Sequence, residues 1–185
     1  MKKIISLLLI GITLTFLPGC SQISETVDSI SKSEPVITKS ESGIFQVELL
    51  DGWKMPTKGE LNEQADLEAT KLTADSYFMA MMEKKSDYTL DLAGYSDLVL
   101  NTNAKAYGVT PGEFIPTKVG NYNAYLSEFT AVSESIKCHM WIYAIETETY
   151  YGQLFVWTTE SKVDQNKDEL MKIINSFKEI SQTTP

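Results

Sequence analysis

Three long alternating segments, Tyr122 to Val132, Ser135 to Glu146 and Tyr150 to Thr159, lie almost end to end in the chain. The turns between them, near Ser133-Glu134 and Thr147-Glu148, are far too short for a crossover, and parallel neighbours need a connection of a dozen or more residues. The segments therefore run antiparallel, as a meander. Before them Glu113 to Val119 ends at Gly120-Asn121, a hairpin-type signal that adds a further strand. A sheet of this size must bury its apolar faces, and the rest of the chain supplies the cover.

Upstream, Ile44 to Leu50 places Phe45, Val47 and Leu49 on one face and Gln46 and Glu48 on the other, the pattern of a half-buried strand. Asp51-Gly52 turns the chain and delivers Trp53. Asp66 to Leu72 and Tyr77 to Lys84 read as two more strands joined by Asp75-Ser76. In the second, Tyr77, Met79 and Met81 share one face and Phe78, Ala80 and Met82 the other, so both faces should be covered. From Thr89 to Ala106 the period changes: Leu92, Tyr95, Val99, Thr102 and Ala106 step by three and four, predicting a helix that stops at Gly108. Ser161 and Asp164 have the spacing of a capping-box-like start, and Val163, Leu170, Ile173, Ile174 and Phe177 mark a last helix. The fold class is α+β, an α/β/α sandwich with a mainly antiparallel sheet.

The N-terminus predicts a location. Lys2 and Lys3 precede an apolar run from Ile4 to Leu17, the layout of a secretory signal. Fourteen residues fall short of the ~20 that span a hydrocarbon core as a helix. The run closes on Leu17-Pro18-Gly19-Cys20, which resembles the lipobox of bacterial lipoproteins. That resemblance implies cleavage after Gly19 and a diacylglyceryl group on Cys20, with residues 1–19 as signal peptide. Pro18 departs from the small or β-branched residue usual at its place. Two acyl chains at about 0.8 kcal/mol per buried methylene make a durable anchor. If the run were an ordinary secretory signal, Cys20 and Cys138 could instead form one disulfide. Residues 20–42, rich in serine and charge and without aromatics, read as a tether, and 43–181 as a single domain.

Removing residues 1–19 takes away two lysines and no acids, leaving fourteen lysines against twenty-five acidic residues, a net charge of −11. Arginine is absent from the sequence. Nucleic acid calls for a basic surface and favours the bidentate guanidinium, so a nucleic-acid partner is excluded as a reading. The same balance disfavours attraction to anionic headgroups, leaving the acyl chains as the expected membrane link.

The element order, with Gly52-Trp53, Gly120 and the ending Ile174-Asn175-Ser176-Phe177, resembles the PsbP-like fold over about residues 43 to 180. That fold is shared by the extrinsic photosystem protein, a Ran-binding nuclear import factor and many small bacterial lipoproteins. Members serve as binding or assembly proteins, so the resemblance implies a scaffold and no particular catalytic site.

The sequence offers few reactive groups. Cys138-His139 invites a thiolate reading, yet adjacent residues of a strand point to opposite faces, and Cys138 aligns with Met140 and Ile142 as a small core hydrophobe. One histidine permits neither a triad nor a multi-histidine metal site. Met79 and Met81 could offer thioethers to a soft metal, although core filling is the commoner role. Asp87 with Asp91, and Asp164 with Asp168, sit where acids complement helix dipoles. Among the aromatics of the meander, Tyr150 and Tyr151 are adjacent, so one should face away from the more buried side; they are the candidate surface contact. The expected function is a membrane-anchored, non-catalytic binding or accessory module with no cofactor, its partner a protein or small ligand. The alternatives are a small envelope hydrolase built on carboxylates and a solute-binding lipoprotein.

Overall fold

A computed structural model describes residues 34–110, 113–133 and 135–180. Gly19 and Cys20, with the rest of the signal-like segment and most of the tether, lie outside the described residues. The chain forms β1 (Val36–Lys39), β2 (Phe45–Leu49), β3 (Leu67–Lys71), β4 (Ser76–Lys84), α1 (Leu92–Ala106), β5 (Ile115–Val119), β6 (Tyr122–Ser133), β7 (Ile136–Glu146), β8 (Tyr150–Thr159), α2 (Val163–Asn175) and β9 (Lys178–Glu179). The meander expected from residues 122–159 is β6, β7 and β8, each antiparallel to the next.

Six strands make one sheet in the order β3-β4-β8-β7-β6-β5, and β1-β2-β9 make a second. The large sheet is covered on both faces. On one, Tyr95, Val99 and Leu100 of α1 pack with Tyr77, Met79, Met140, Ile142 and Phe155. On the other, Leu170, Ile173 and Ile174 of α2 and Phe45, Val47 and Leu49 of β2 pack with Phe78, Ala80, Trp141, Leu154 and Val156. The division of β4 into two apolar faces is thus as its alternation requires. Packing is tight where the sheet centre has no room: a Cβ at Gly152 would collide with the Met82 thioether.

The short motifs behind the sequence resemblance prove to be fastenings of the α2 side. Gly52 turns with φ of 81° and lies over the aliphatic stem of Lys71. Trp53 Nε1 donates to Glu169 Oε1 at 2.5 Å, and Lys71 Nζ donates to the same oxygen at 2.8 Å, tying α2 to β3. At Gly120, with φ of 55°, a side chain would press on the Asn175 carbonyl. Phe177 stacks on Phe45 at 6.0 Å.

Three expectations are corrected. Residues 36–39, assigned to the tether, form β1; these residues include β-branched Val36, Ile37 and Thr38, but they pair through the backbone with little burial, so no apolar alternation announces them. Ser161 does not cap α2: residues 160–162 form a 3-10 turn, Lys162 holds the cap position, and no side chain bonds there. In α1 the buried face is Tyr95, Ser96, Val99, Leu100, Asn103 and Ala104, whereas Thr102 is half-buried and Ala106 exposed. Polar residues can turn inward because their partners are local: Ser96 Oγ donates to the Leu92 carbonyl at 2.7 Å, and Asn103 Nδ2 to Val99 O at 2.8 Å and Gln153 Oε1 at 2.9 Å. Gly108 does end the helix. Its N–H reaches Lys105 O and the Val109 N–H reaches Ala104 O, the paired bonds of a Schellman motif.

Candidate functional site

Where α2 meets the outer face of the small sheet, a groove of about 570 Å³ opens between Pro35, Glu48 and Leu50 on one side and Asp168, Met171, Lys172, Asn175, Ser176 and Lys178 on the other. Strand alternation explains the first wall. Phe45, Val47 and Leu49 point into the core, which turns Glu48 outward. The second wall is the helix face left over once Leu170, Ile173 and Ile174 are buried. Ser176 holds the two walls together, its hydroxyl donating to Ile173 O at 2.7 Å and accepting from the Glu48 N–H at 2.8 Å. Met171 is fixed from behind by the Tyr143 hydroxyl, 3.1 Å from its sulfur. Asn175 Oδ1 accepts the Gly120 N–H at 3.2 Å. Lys178 Nζ lies 3.6 Å from Glu48. Apolar Pro35, Leu50 and Met171 are thus rimmed by two acids, two lysines, an amide and a hydroxyl, a lining suited to an extended segment or ligand of mixed polarity.

A smaller cavity of about 220 Å³ lies beside β3, lined by Glu41, Met55, Pro56, Lys58, Ala65, Asp66 and Glu68. Glu68 is buried and accepts three backbone N–H groups, from Gly59 at 2.7 Å, Leu61 at 2.8 Å and Asn62 at 2.7 Å, so its charge holds the loop above it. Asp66 accepts the Met82 N–H at 2.8 Å, and burial pushes its carboxyl up from the ordinary 3.8. Lys58 pairs with Glu41 at the rim.

The residues singled out in the sequence are scattered. Cys138 lies in the α1-side core with Met140 and Ile142, and burial pushes its thiol up, the opposite of nucleophile activation. His139 is on the other face, its Nε2 2.7 Å from Glu128 and its Nδ1 3.4 Å from Glu160. Met79 and Met81 are core. Asp91 caps α1, its Oδ1 accepting the Gly94 N–H at 2.9 Å. Tyr151, proposed as a surface contact, is only 3 % exposed; it stacks on Tyr95 at 4.6 Å and donates to Leu90 O at 2.8 Å. Tyr150 is half-buried with its edge on Phe45. Tyr151 lies under the α1 cover, whereas Tyr150, on the opposite face, keeps part of its surface. Of the acids noted in the sequence Glu48 and Asp168 belong to the groove, which joins residues 35–50 to residues 168–178.

No family model and no curated protein matches this sequence. Solved structures do. The cyanobacterial PsbP protein of Synechocystis superposes with a TM-score of 0.58 at 14% identity, over 84% of this chain and 98% of its own. The fold is PsbP-like. A Bacteroides thetaiotaomicron protein matches with a TM-score of 0.56 at 10% identity over 83% of this chain, which spans 50% of that longer protein. LpqN of Mycobacterium tuberculosis, described as involved in cell envelope biogenesis, matches with a TM-score of 0.51 at 11% identity, over 80% of this chain and 84% of its own. These likenesses establish the PsbP-like architecture that the fastenings at Gly52, Trp53, Gly120, Ser176 and Phe177 maintain here.

Proposed function

We propose that the chain is an exported lipoprotein, held to the outer face of a membrane through Cys20, whose PsbP-like domain is a non-catalytic binding or accessory module using the α2 groove. The observation that carries the binding reading is the groove itself, an open surface of mixed polarity whose walls are pinned by Ser176 and Asn175. The conspicuous acids elsewhere are engaged in holding the fold: Glu68 by three N–H groups, Glu83 by the Tyr88 and Tyr95 hydroxyls, Glu169 by Trp53 and Lys71. Among the described residues no helix is long and apolar enough to cross a membrane, which suits attachment by acyl chains. LpqN, with the same fold, lends support to an envelope role.

Capture from the native envelope with the tether intact tests this reading. A partner or ligand should be retained by the wild type and lost with Lys172→Glu, an exposed change in the groove wall. The raised carboxyl of Asp66 favours the hydrolase alternative, although Glu68, its neighbour, is saturated by backbone donors and hydrolysis of glycosides needs two free carboxyl groups. Turnover of a cell-wall or ester substrate that disappears in Asp66→Asn, with no partner captured, would reverse the assignment.

A further inference from the structure

His139, the only histidine in the chain, sits between two carboxylates. Its Nε2 lies 2.7 Å from Glu128 Oε1 on β6, and its Nδ1 lies 3.4 Å from Glu160 Oε2, so both edges of the ring face an acid at ion-pair distance. The side chain is 17% exposed and rests against the Trp141 indole, with ring centres 4.3 Å apart. A neutral imidazole carries one N–H and one lone pair, so it offers a donor to one acid and turns a lone pair toward the other. The imidazolium offers a donor to both. The other charged groups about the ring are Lys137 on its own strand, 3.5 Å from Glu160, and Lys167 on α2, whose Nζ lies 5.6 Å from the centre of the Trp141 ring. From β8 the register partner is Thr158, which is uncharged and bonded to Asn166.

Glu160 matters because of where it stands. It opens the 3-10 turn that leads into α2, a helix with no side-chain cap of its own. Toward the β3–β4 turn, the start of α2 is fastened by Lys162, 2.8 Å from Asp75, and by Asn166, whose Nδ2 donates to Ala74 O at 2.7 Å and to Thr158 Oγ1 at 2.8 Å. Toward β6 and β7 the fastening runs through Glu160, which His139 and Lys137 face and to which Thr130 Oγ1 donates at 3.2 Å.

The geometry points to a proton-controlled latch: doubly protonated His139 bridges Glu128 of β6 and Glu160 at the start of α2, and loss of one ring proton releases the Glu160 side. The shorter contact decides which acid is kept. Nε2 holds its N–H and its bond to Glu128, and the Nδ1 lone pair is left facing the Glu160 carboxylate, a repulsive contact. Imidazole changes charge in the interval between about pH 5 and 8, so the latch closes on mild acidification and opens toward alkaline pH. The fold offers the ring two acceptors that the unfolded chain lacks, so the latch adds stability on the acid side that is lost as the ring deprotonates. This inference depends neither on what the groove binds nor on the anchor at Cys20.

The test is made on the full-length chain in detergent micelles. With a single histidine, the imidazole signals in proton–nitrogen correlation spectra need no assignment. Both ring nitrogens should carry protons at the acid end, and Glu128→Gln and Glu160→Gln should each move the ring's titration to lower pH. Amide exchange, corrected for its intrinsic pH dependence, should show residues 161–166 of the wild type opening about fivefold more readily at about pH 8 than at about pH 5, while the centre of β8 stays unchanged. His139→Gln and Glu160→Gln should each abolish that step. Glu160→Gln, at a side chain 40% exposed, carries the test if His139→Gln fails to fold. A titration that either glutamine substitution leaves in place, wild-type exchange at residues 161–166 that is equal at the two pH values, or a step that persists in Glu160→Gln would overturn the proposal.

Discussion

At the scale of single residues, two acids near β3, Glu68 buried and Asp66 half-buried, have opposite consequences. Glu68 serves three backbone donors, and Glu68→Ala leaves them without an acceptor; hydrogen bonds to a charged group are individually strong, so the loss should be about 3 kcal/mol by chemical denaturation. Limited proteolysis should then cut first within residues 55–65. Asp66 is held above its ordinary 3.8 by burial, so the native state binds its proton more tightly than the unfolded chain. Its ionisation therefore weakens the fold as pH rises through the interval above 3.8. Asp66→Asn should be more stable than the wild type at neutral pH, with the advantage shrinking on acidification; an advantage that grows on acidification would contradict the stated cause of the shift.

At the scale of elements, the large sheet depends on strand alternation and the α2 side on a few polar fastenings. Ser176 is the clearest of these, since one hydroxyl satisfies both the Ile173 carbonyl and the Glu48 N–H. Ser176→Ala should cost about 1 kcal/mol in equilibrium unfolding and speed amide exchange at Glu48. The alternating strands were readable from sequence: β8 runs from Tyr150 to Thr159 as its pattern indicates, and β4 divides its apolar residues between two cores. What escaped was whatever alternation does not encode. β1 is exposed, so Val36 and Ile37 carry no burial signal. The inward turn of Asn103 rests on Gln153, fifty residues away, and the burial of Tyr151 on the arrival of α1. The groove joins Pro35, Leu50 and Lys172, which have no relation in sequence; Glu48, Asp168, Asn175 and Ser176 drew notice, but for strand alternation, a helix start and the fold resemblance rather than as parts of one site.

At the scale of the whole molecule, the two-sided cover of the sheet governs how the protein titrates. Burial pushes the phenols of Tyr77 and Tyr143 up to about 12, and those of Tyr88, Tyr95 and Tyr107 are pushed up as well. Unfolded phenols ionise near 10, so the native state keeps protons that the unfolded chain gives up, and stability falls as pH rises beyond about 10. Phenolate absorbance should therefore rise in two stages, the buried group titrating together with loss of near-ultraviolet circular dichroism. A single smooth titration with the fold intact would contradict the burial described.

The central proposal is an anchored module, with Cys20 setting where the PsbP-like domain works. Fractionation of cells expressing wild type and Cys20→Ser, with carbonate and salt washes of the membranes, tests it most directly. The wild type should stay in the washed membranes, with its mature N-terminus at Cys20 carrying a diacylglyceryl mass, and Cys20→Ser should leave with the soluble fraction. Cys20→Ser protein that remains with the membranes after washing would contradict the account.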